Sequence, residues 1–307
     1  MCANLKNRYE FLAILDNKML FSDGAMGTEL QKLGFKGSPD LLNLDAEALK
    51  SISKIHLDYI LAGSDIIQTN TIGSSFIKLK HAGYEQEIKR INSNAVDAAR
   101  NARNIFYEKH DKSREIYIAG DIGPSGELLE PYGNTSFDFV VESFAKQAEI
   151  LLDCGVDIIV IETMIDLNEA KAAVKAVREL DANIAVACTL SFRENGVTVM
   201  GNRAEEFGEV LVEAGSDIIG ANCSVGSDSM VSITGKIRNA NPSAKLFIQP
   251  NAGLPKLIDG KTVFLESPET MAENFRGILK FKPDIIGACC GSTPEHIKKI
   301  AELVNLK

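Results

Sequence analysis

The 307-residue sequence contains no tryptophan, no long apolar run, and fewer basic than acidic residues. With 33 Lys and Arg against 42 Asp and Glu, its formal net charge is −9. This balance disfavours nucleic acid as a partner, because binding phosphates requires clustered positive charge. No apolar run approaches the roughly 20 residues of a membrane span, and residues 1–6 lack the apolar core of a secretory signal. We therefore expect a cytoplasmic protein that binds neither nucleic acid nor membrane.

Cysteine is scarce as well, and the six present are Cys2, Cys154, Cys188, Cys223, Cys289 and Cys290. So few cannot form a disulfide scaffold in a chain of this length, and in a reducing compartment they would remain thiols. The chain also needs no cross-link, because a domain of this size buries roughly three quarters of its unfolded surface. We expect Cys154 and Cys188 in the core and Cys2 in the N-terminal tail. The other three cysteines need a different explanation.

A repeated Asp-Ile-Ile pattern organises the chain, at residues 62–67, 154–159, 214–219 and 282–286. Each copy follows a helical pattern and a Gly or Pro, and it enters a short stretch rich in β-branched residues. This order is typical of a helix, a tight turn and a buried parallel strand. Four more apolar runs complete a set of eight candidate strands, at 19–22, 116–119, 184–190 and 246–249.

Helical patterns separate these strands, at 46–61, 85–108, 137–153, 168–180, 204–213, 229–239, 268–279 and 294–304. Strict alternation of strand and helix implies a parallel sheet. No linker divides the chain, and the Gly-x-Gly-x-x-Gly of a doubly wound sheet is missing after the first strand. The sequence therefore predicts an α/β protein with a single (β/α)8 (TIM) barrel domain over residues 1–307.

Polar or sulfur-containing residues follow the predicted strands: Asp23, Asn70, Asp121, Glu162, Ser191, Cys223, Asn251, and Cys289 with Cys290. In barrels of this class the active site lies at the C-terminal ends of the strands. We therefore expect one converging site there. The pattern does not assign roles to Asn70, Asp121 and Ser191.

Three cysteines fall at two of these strand ends, Cys223 after strand six and Cys289 with Cys290 after strand eight. Neighbouring residues of a regular strand face opposite sides. The strand must therefore stop before Cys289 and Cys290 can both reach one centre, and Gly291 gives the backbone the freedom to turn. Three thiolates with an open fourth position are typical of a catalytic zinc site. Such a shell favours a nucleophilic substrate thiolate over an activated water.

Two other classes of protein are compatible with a barrel that carries thiols. Cys289 and Cys290 could instead form a reversible vicinal disulfide in a redox protein, which would contain no metal. An isomerase or aldolase that binds phosphate is disfavoured, because no Lys ends a strand and no Gly-rich phosphate loop follows strands seven and eight.

Seven segments, in order along nearly the whole chain, resemble the homocysteine S-methyltransferase family: 23–30 (DGAMGTEL), 69–71 (TNT), 120–124 (GDIGP), 162–163 (ET), 222–224 (NCS), 250–253 (PNAG) and 287–294 (GACCGSTP). They are most similar to the homocysteine-binding barrel at the start of cobalamin-dependent methionine synthase. The resemblance implies zinc on Cys223, Cys289 and Cys290, with the homocysteine thiolate as fourth ligand and nucleophile. It also implies that Asn251 can occupy the open zinc position when substrate is absent.

The resemblance further implies how the rest of homocysteine is held. Acidic residues at the positions of Asp23 and Glu162 would bind the substrate amino group, which as a cation requires them. We expect the substrate carboxylate to meet backbone N–H groups of Gly24 and Ala25, where a loop approaches a helix that starts near Thr28.

The methyl donor is the least defined part of the predicted function. The methionine synthase branch implies methylcobalamin, supplied by folate and cobalamin modules. Because the chain ends three residues after its last predicted helix, we expect either a separate corrinoid protein or a longer enzyme. S-methylmethionine and S-adenosylmethionine are alternatives. Betaine is disfavoured, since the chain has no Trp and residues 69–73 lack the aromatic side chains that hold a quaternary ammonium in the betaine-using branch. Ile72 also departs from the Phe usual in the methionine synthase branch, so we expect a different wall near the incoming methyl group.

Overall fold

A computed structural model describes residues 7–258 and 261–305, and its centre is a barrel of eight parallel strands. The barrel strands are β1 (Leu20–Phe21), β2 (Ile66–Gln68), β3 (Tyr117–Ile122), β4 (Ile158–Met164), β5 (Ala185–Leu190), β6 (Ile218–Gly226), β7 (Lys245–Asn251) and β10 (Ile285–Ile286). Two further strands, β8 (Lys256–Ile258) and β9 (Lys261–Val263), form a separate hairpin. The barrel order is β1-β10-β7-β6-β5-β4-β3-β2, and a parallel bridge between Ser22 and Ile66 joins its two edges. The predicted (β/α)8 fold is confirmed.

Helices surround the barrel: α1 (Arg8–Asn17), α2 (Gly27–Lys32), α3 (Ala46–Ala62), α4 (Phe76–Ala82), α5 (Ile88–Lys109), α6 (Phe137–Asp153), α7 (Leu167–Leu180), α8 (Phe207–Ala214), α9 (Ser227–Ala240), α10 (Pro268–Ile278) and α11 (Pro294–Asn305). Short 3₁₀ turns occupy Pro39–Leu44, Glu85–Glu87 and Leu279–Phe281. The eight predicted helices are all present. The prediction did not include α1, α4, the turn at Pro39–Leu44 or the antiparallel β8–β9 hairpin.

Several helices begin at a side chain that accepts hydrogen bonds from the first turn, as Asp45, Ser75, Ser136, Asp166 and Ser267 do. These caps satisfy backbone N–H groups that have no partner within the helix. None of the described helices is long and apolar enough to cross a membrane.

The strands alternate between two apolar cores. In β4, Ile158 and Val160 belong to the cluster inside the barrel, whereas Ile159 and Ile161 belong to the cluster between the barrel and its helices. This period of two is that of a strand with both faces buried. Cys188 is buried in the outer cluster and Cys154 packs against it, as predicted, while Cys2 lies outside the described residues.

Helix α1 contributes to the inner core. Its side chains Phe11 and Leu15 join the cluster inside the barrel, and Phe11 packs edge-on against Tyr117 with ring centroids 5.3 Å apart. Asn7 and Glu10 form a capping box at the start of α1. The apolar interior of the barrel therefore extends into α1.

The repeated aspartates act as clamps between neighbouring strands. In each case the Asp backbone N–H donates to a carbonyl of the adjacent strand, and the Asp carboxylate accepts from the N–H of that same residue. The four pairs are Asp65 with Phe21, Asp157 with Ile118, Asp217 with Val186 and Asp284 with Leu246. The repeat in the sequence is thus a repeat of one two-strand contact, and we refer to these four residues as the Asp clamps.

Each Asp clamp is also paired with a cation. The pairs are Lys18 with Asp65, Arg103 with Asp157, Arg8 and Arg178 with Asp217, and Arg238 and Lys245 with Asp284. A buried carboxylate with both a cation and a backbone donor is compensated for its lost hydration. The clamps therefore fix strand register without leaving charge unpaired at this end of the barrel.

Removing one clamp tests this role. We expect Asp217→Ala to lower the free energy of unfolding by about 3 kcal/mol or more, because two arginines and a backbone N–H lose a buried partner. Urea unfolding followed by circular dichroism measures the change. Glu273→Ala, which breaks an exposed pair with Arg276, is the matched control and should change little. Equal effects of the two variants would contradict the clamp role.

Candidate functional site

The inward-facing positions of the strands change from apolar to polar towards the C-terminal ends. Continuing the period of two from the inner core gives Gln68, Asp121, Glu162, Thr189, Asn222 and Gln249, all buried or nearly so. Of these, only Asp121 and Glu162 were singled out from the sequence. The same alternation could have identified the others, because each lies two or four residues beyond a member of the apolar inner core.

Three cysteine sulfurs meet above this polar layer, as predicted from their strand positions. The Sγ atoms of Cys223, Cys289 and Cys290 all lie within 4.8 Å of one another. Cys223 Sγ is 3.8 Å from Cys290 Sγ, and the two neighbouring cysteines have sulfurs 4.0 Å apart. Tetrahedral zinc with bonds of about 2.3 Å holds its sulfurs roughly 3.8 Å apart. We call these three residues the sulfur triad, and its spacing suits a tetrahedral metal ion.

An irregular backbone presents Cys223 to the triad. Cys223 and Ser224 both adopt left-handed conformations, with φ of 59° and 62°, and the pairing of β6 with β7 shifts register there. Such conformations cost energy in residues other than glycine and persist only where surrounding contacts hold them. Here Ser191 donates to the Asn222 carbonyl at 2.9 Å, and its hydroxyl lies 2.8 Å from the Ser224 hydroxyl. Ser191 is therefore a brace for the turn that carries Cys223.

Gly291 allows the other two cysteines to share one centre. Its φ is +82°, and an added Cβ would lie 2.1 Å from the Phe264 ring. The chain turns directly after Cys290, and the Ser292 hydroxyl donates to the Cys289 carbonyl at 2.7 Å. The strand itself already ends at Ile286, so both cysteines lie in the loop that follows it and are free of the strand's alternation.

The three cysteine thiols of the triad differ in pKa. Thiol donors from Cys289 and Cys290 lower the pKa of Cys223 to about 3. The pKa of Cys290 rises to about 12, chiefly through its contact with Cys223, and that of Cys289 rises well above its usual range for the same reason. One thiolate held by two thiols is thus the favoured state of the metal-free triad.

Asn251 lies against the sulfur triad. Its side chain is 3% exposed and hydrogen-bonds to Cys223. Among the described residues its Oδ1 has no hydrogen-bond partner, although it is buried. A buried amide oxygen without a donor beside three sulfurs is chemically suited to a fourth metal position.

A chain of amides links the two predicted substrate carboxylates. Gln68 donates from its backbone and side chain to Asp23, at 2.9 and 3.3 Å, and its side chain also donates to Gln249 at 2.9 Å. Gln249 in turn donates to Glu162 at 3.1 Å. Asn222 donates to Glu162 at 3.2 Å and lies 4.0 Å from Cys289 Sγ. One network therefore connects both carboxylates to the sulfur triad.

These carboxylates are buried without a cation. None of the ion pairs within residues 7–258 and 261–305 includes Asp23 or Glu162. Burial raises the pKa of Asp23 to about 7, and burial together with the charge of Cys223 raises that of Glu162 to about 8. A cationic ligand would lower both values by supplying the missing charge.

The loop after β1 is held against the cysteine loop. Ala25 N–H donates to the Ser292 hydroxyl at 3.1 Å, and Tyr59 donates to the Ala25 carbonyl at 2.9 Å. A Cβ on Gly24 would come within 2.4 Å of Ser292 Oγ, so only glycine fits this contact. The loop is thus held against the cysteine-bearing segment, and the Ala25 N–H already has a partner.

A cavity of about 260 Å³ lies beside these groups, and its lining includes Gly24, Ala25, Gln68, Asp121, Glu162, Cys289 and Cys290. Asp23 and Cys223 lie behind this lining, in contact with Gln68 and Cys290. Asn70 also lines the cavity, but its side chain donates to Pro39 and Asn43, so it braces the Pro39–Leu44 turn. A wider groove of about 850 Å³ adjoins the cavity and shares Thr28, Gln31 and Cys290 with it. Cys290 can therefore be approached from two sides.

A family profile and several known proteins are similar to this chain in sequence. A sequence profile described as homocysteine S-methyltransferase matches residues 20–304. Methionine synthase of Mycobacterium tuberculosis (strain ATCC 25618 / H37Rv) is 30% identical over 325 residues, covering 100% of this chain and 26% of that protein. Methionine synthase of Mycobacterium leprae (strain TN) is 29% identical over 310 residues, covering 96% and 25%. The chain thus spans about a quarter of the length of these curated relatives.

The fold also has a solved counterpart. The homocysteine methyltransferase MmuM from Escherichia coli, in its metallated form, superposes with a TM-score of 0.80 at 21% identity. The match covers 94% of this chain and 98% of that chain. At this identity the likeness supports the barrel fold alone.

The buried carboxylates should make stability depend on pH. In metal-free protein we expect Glu162 to contribute a fall in the free energy of unfolding from about pH 5 to about pH 8, because folded Glu162 retains a proton that the unfolded chain has lost. Glu162→Gln should reduce this fall, as measured by urea unfolding across the range. Glu273→Gln, on an exposed helix face, should leave it unchanged. Parallel curves for wild type and Glu162→Gln would show that Glu162 is not the titrating group.

Proposed function

Because this chain belongs to the homocysteine S-methyltransferase family, we propose that it transfers a methyl group to the sulfur of homocysteine and yields methionine. The observation that carries the proposal is the sulfur triad, whose atoms lie within 4.8 Å of one another beside two buried carboxylates that lack a cation. A thiol amino acid offers both complements, sulfur for the metal and ammonium for the carboxylates.

We propose that the sulfur triad binds zinc, with Asn251 as a fourth ligand when substrate is absent. Zinc with three thiolate ligands would lower the pKa of the substrate thiol and leave its sulfur nucleophilic. The unpartnered Oδ1 of Asn251 and the sulfur spacing support this assignment. The left-handed turn at Cys223, braced by Ser191, would keep the ligands in place before substrate arrives.

Asp23 and Glu162 are proposed to bind the substrate ammonium. Their link through Gln68 and Gln249 holds both carboxylates in fixed positions relative to the cysteines. Substrate thiol and ammonium would therefore be oriented together, which lowers the entropic cost of reaching the transition state.

The substrate carboxylate is proposed to meet the backbone at Gly24 and Ala25. Because Ala25 N–H donates to Ser292 in this structure, the carboxylate would have to replace that hydroxyl as its acceptor. The Ser292 hydroxyl also donates to the Cys289 carbonyl, so a substrate carboxylate that displaces it from Ala25 would change a contact next to the sulfur triad.

For the methyl donor we propose methylcobalamin, carried by a corrinoid protein or by another module of a longer enzyme. Two observations support it: the curated relatives are methionine synthases, and the groove of about 850 Å³ reaches Cys290 from outside the cavity. A large donor could use that groove while homocysteine fills the cavity. S-methylmethionine, S-adenosylmethionine and betaine are the alternative donors.

The test combines metal content with turnover. We expect about one zinc per chain in purified protein, and methionine from homocysteine with methylcobalamin at a rate above that of the other three donors. Cys223→Ser should lose the metal and at least a hundredfold of activity, because a ligand of the triad is gone. Cys154→Ser, at the end of α6, is the matched control and should retain both. Atomic absorption and product chromatography give the two readouts.

Three results would contradict the proposal in different ways. Methionine formation by metal-free protein would remove the role of zinc. Full activity of Cys223→Ser would remove the triad. A metal-free protein with a reversible disulfide between Cys289 and Cys290, and no turnover with any donor, would favour the redox alternative.

A further inference from the structure

One carboxylate in the cavity has no role in the function described so far. Asp121, on β3, lines the cavity together with Gln68 and Glu162 and is 5% exposed. Its carboxyl interacts with the backbone N–H of Ile122, but among the described residues its Oδ1 has no hydrogen-bond donor. An unpaired carboxylate oxygen in this setting is costly, so a ligand is the natural source of the missing donor.

The Asp clamps show how buried aspartates that hold the strands together are compensated in this protein. Each of them has a backbone donor and at least one Lys or Arg. Asp121 differs from them, since no ion pair among the described residues includes it. Burial and the nearby carboxyl of Glu162 raise its pKa well above the usual range. Asp121 therefore carries a cost for folding that the clamps avoid.

A second acceptor on the same cavity wall also lacks a donor. Gln68 Oε1 is buried without a partner, although the Gln68 amide nitrogen donates to Asp23 and Gln249. Both oxygens of Asp23 and the Oε2 atom of Glu162 already accept hydrogen bonds from the amide network. Among the described residues that line the cavity, the fully buried carboxyl and amide oxygens without a donor belong to Asp121 and Gln68, and a group with several N–H donors and a positive charge would satisfy both.

We propose that Asp121 is a third substrate-binding carboxylate, whose Oδ1 accepts a hydrogen bond from the ammonium group of the thiol amino acid. This inference rests on the proposed function and extends it. Asp121 on β3 would then contact the ammonium group together with Asp23 after β1 and Glu162 on β4, and would add to the preference for thiols that carry a protonated amine. Gln68 Oε1 would accept a second N–H of the same ammonium.

The test compares two thiols that differ in the amine alone. Homocysteine and 4-mercaptobutanoate, its analogue without the amino group, are titrated into zinc-loaded wild type and Asp121→Asn by calorimetry. We expect wild type to prefer homocysteine, and Asp121→Asn to lose about 10-fold to 100-fold of that preference while its affinity for 4-mercaptobutanoate stays the same. Zinc content should be unchanged, because Asp121 is not in the sulfur triad.

Unfolding of the metal-free variants supplies a second readout. Asp121→Asn should unfold at the same or a higher urea concentration than wild type, since a buried unpaired carboxyl is removed. Glu169→Gln is the control: Glu169 is also buried, but its carboxylate accepts from the backbone N–H and the hydroxyl of Ser125. That variant should lose stability and keep the wild-type preference between the thiols. If Asp121→Asn is poorly folded, Asp121→Ser serves in its place with the same expectation.

The outcomes separate this inference from the proposed function. A wild type that prefers homocysteine, with an Asp121→Asn variant of equal preference, overturns the role of Asp121 alone. A loss of stability in Asp121→Asn as large as in Glu169→Gln, with no change in preference, shows a structural residue instead. Wild type that binds neither thiol overturns the proposed function, and this inference with it.

Discussion

The Asp clamps are the contacts on which the rest of this structure depends. Parallel strands paired by backbone hydrogen bonds alone could slip by two residues and still alternate correctly between inner and outer core. Each clamp removes that freedom, because one aspartate binds both the N–H and the carbonyl of a single residue on the neighbouring strand. Four such contacts fix the level at which the strands end. Cysteines and carboxylates from distant parts of the sequence can then meet to within a few ångströms.

Buried carboxyl groups at the two ends of the barrel differ in whether they have a cationic partner. At the clamps every carboxylate has a cation from the chain itself. Around the cavity Asp23, Asp121 and Glu162 have raised pKa values and no ion pair among the described residues. The ion pairs at the clamps stabilise the fold. The carboxyl groups around the cavity lack a cation within the described part of the chain, so a positively charged ligand would be stabilised there. We propose that a metal ion at the sulfurs and an ammonium group at the carboxylates supply this positive charge.

Much of this arrangement could be predicted from the sequence, because it follows from periodicity. Strand ends marked by Asp23, Glu162 and the three cysteines converge once eight strands close into a barrel. Periodicity fails where the backbone is irregular. The left-handed turn at Cys223 depends on Ser191 from the neighbouring strand, and no local pattern announces it. The bridge from Gln68 to Gln249 joins residues 181 positions apart, so only the closed barrel shows it. Helix α1 had a readable capping box, but ten residues give too little periodicity to identify a helix on pattern alone.

The central claim is that the sulfur triad holds a metal and leaves one position for the sulfur of the substrate. X-ray absorption at the zinc edge, recorded with and without homocysteine, tests it most directly. The structure predicts three sulfur ligands and one nitrogen or oxygen ligand before addition, and four sulfur ligands afterwards. A sulfur count that stays at three when homocysteine is bound, or zinc held without the cysteines, would contradict it.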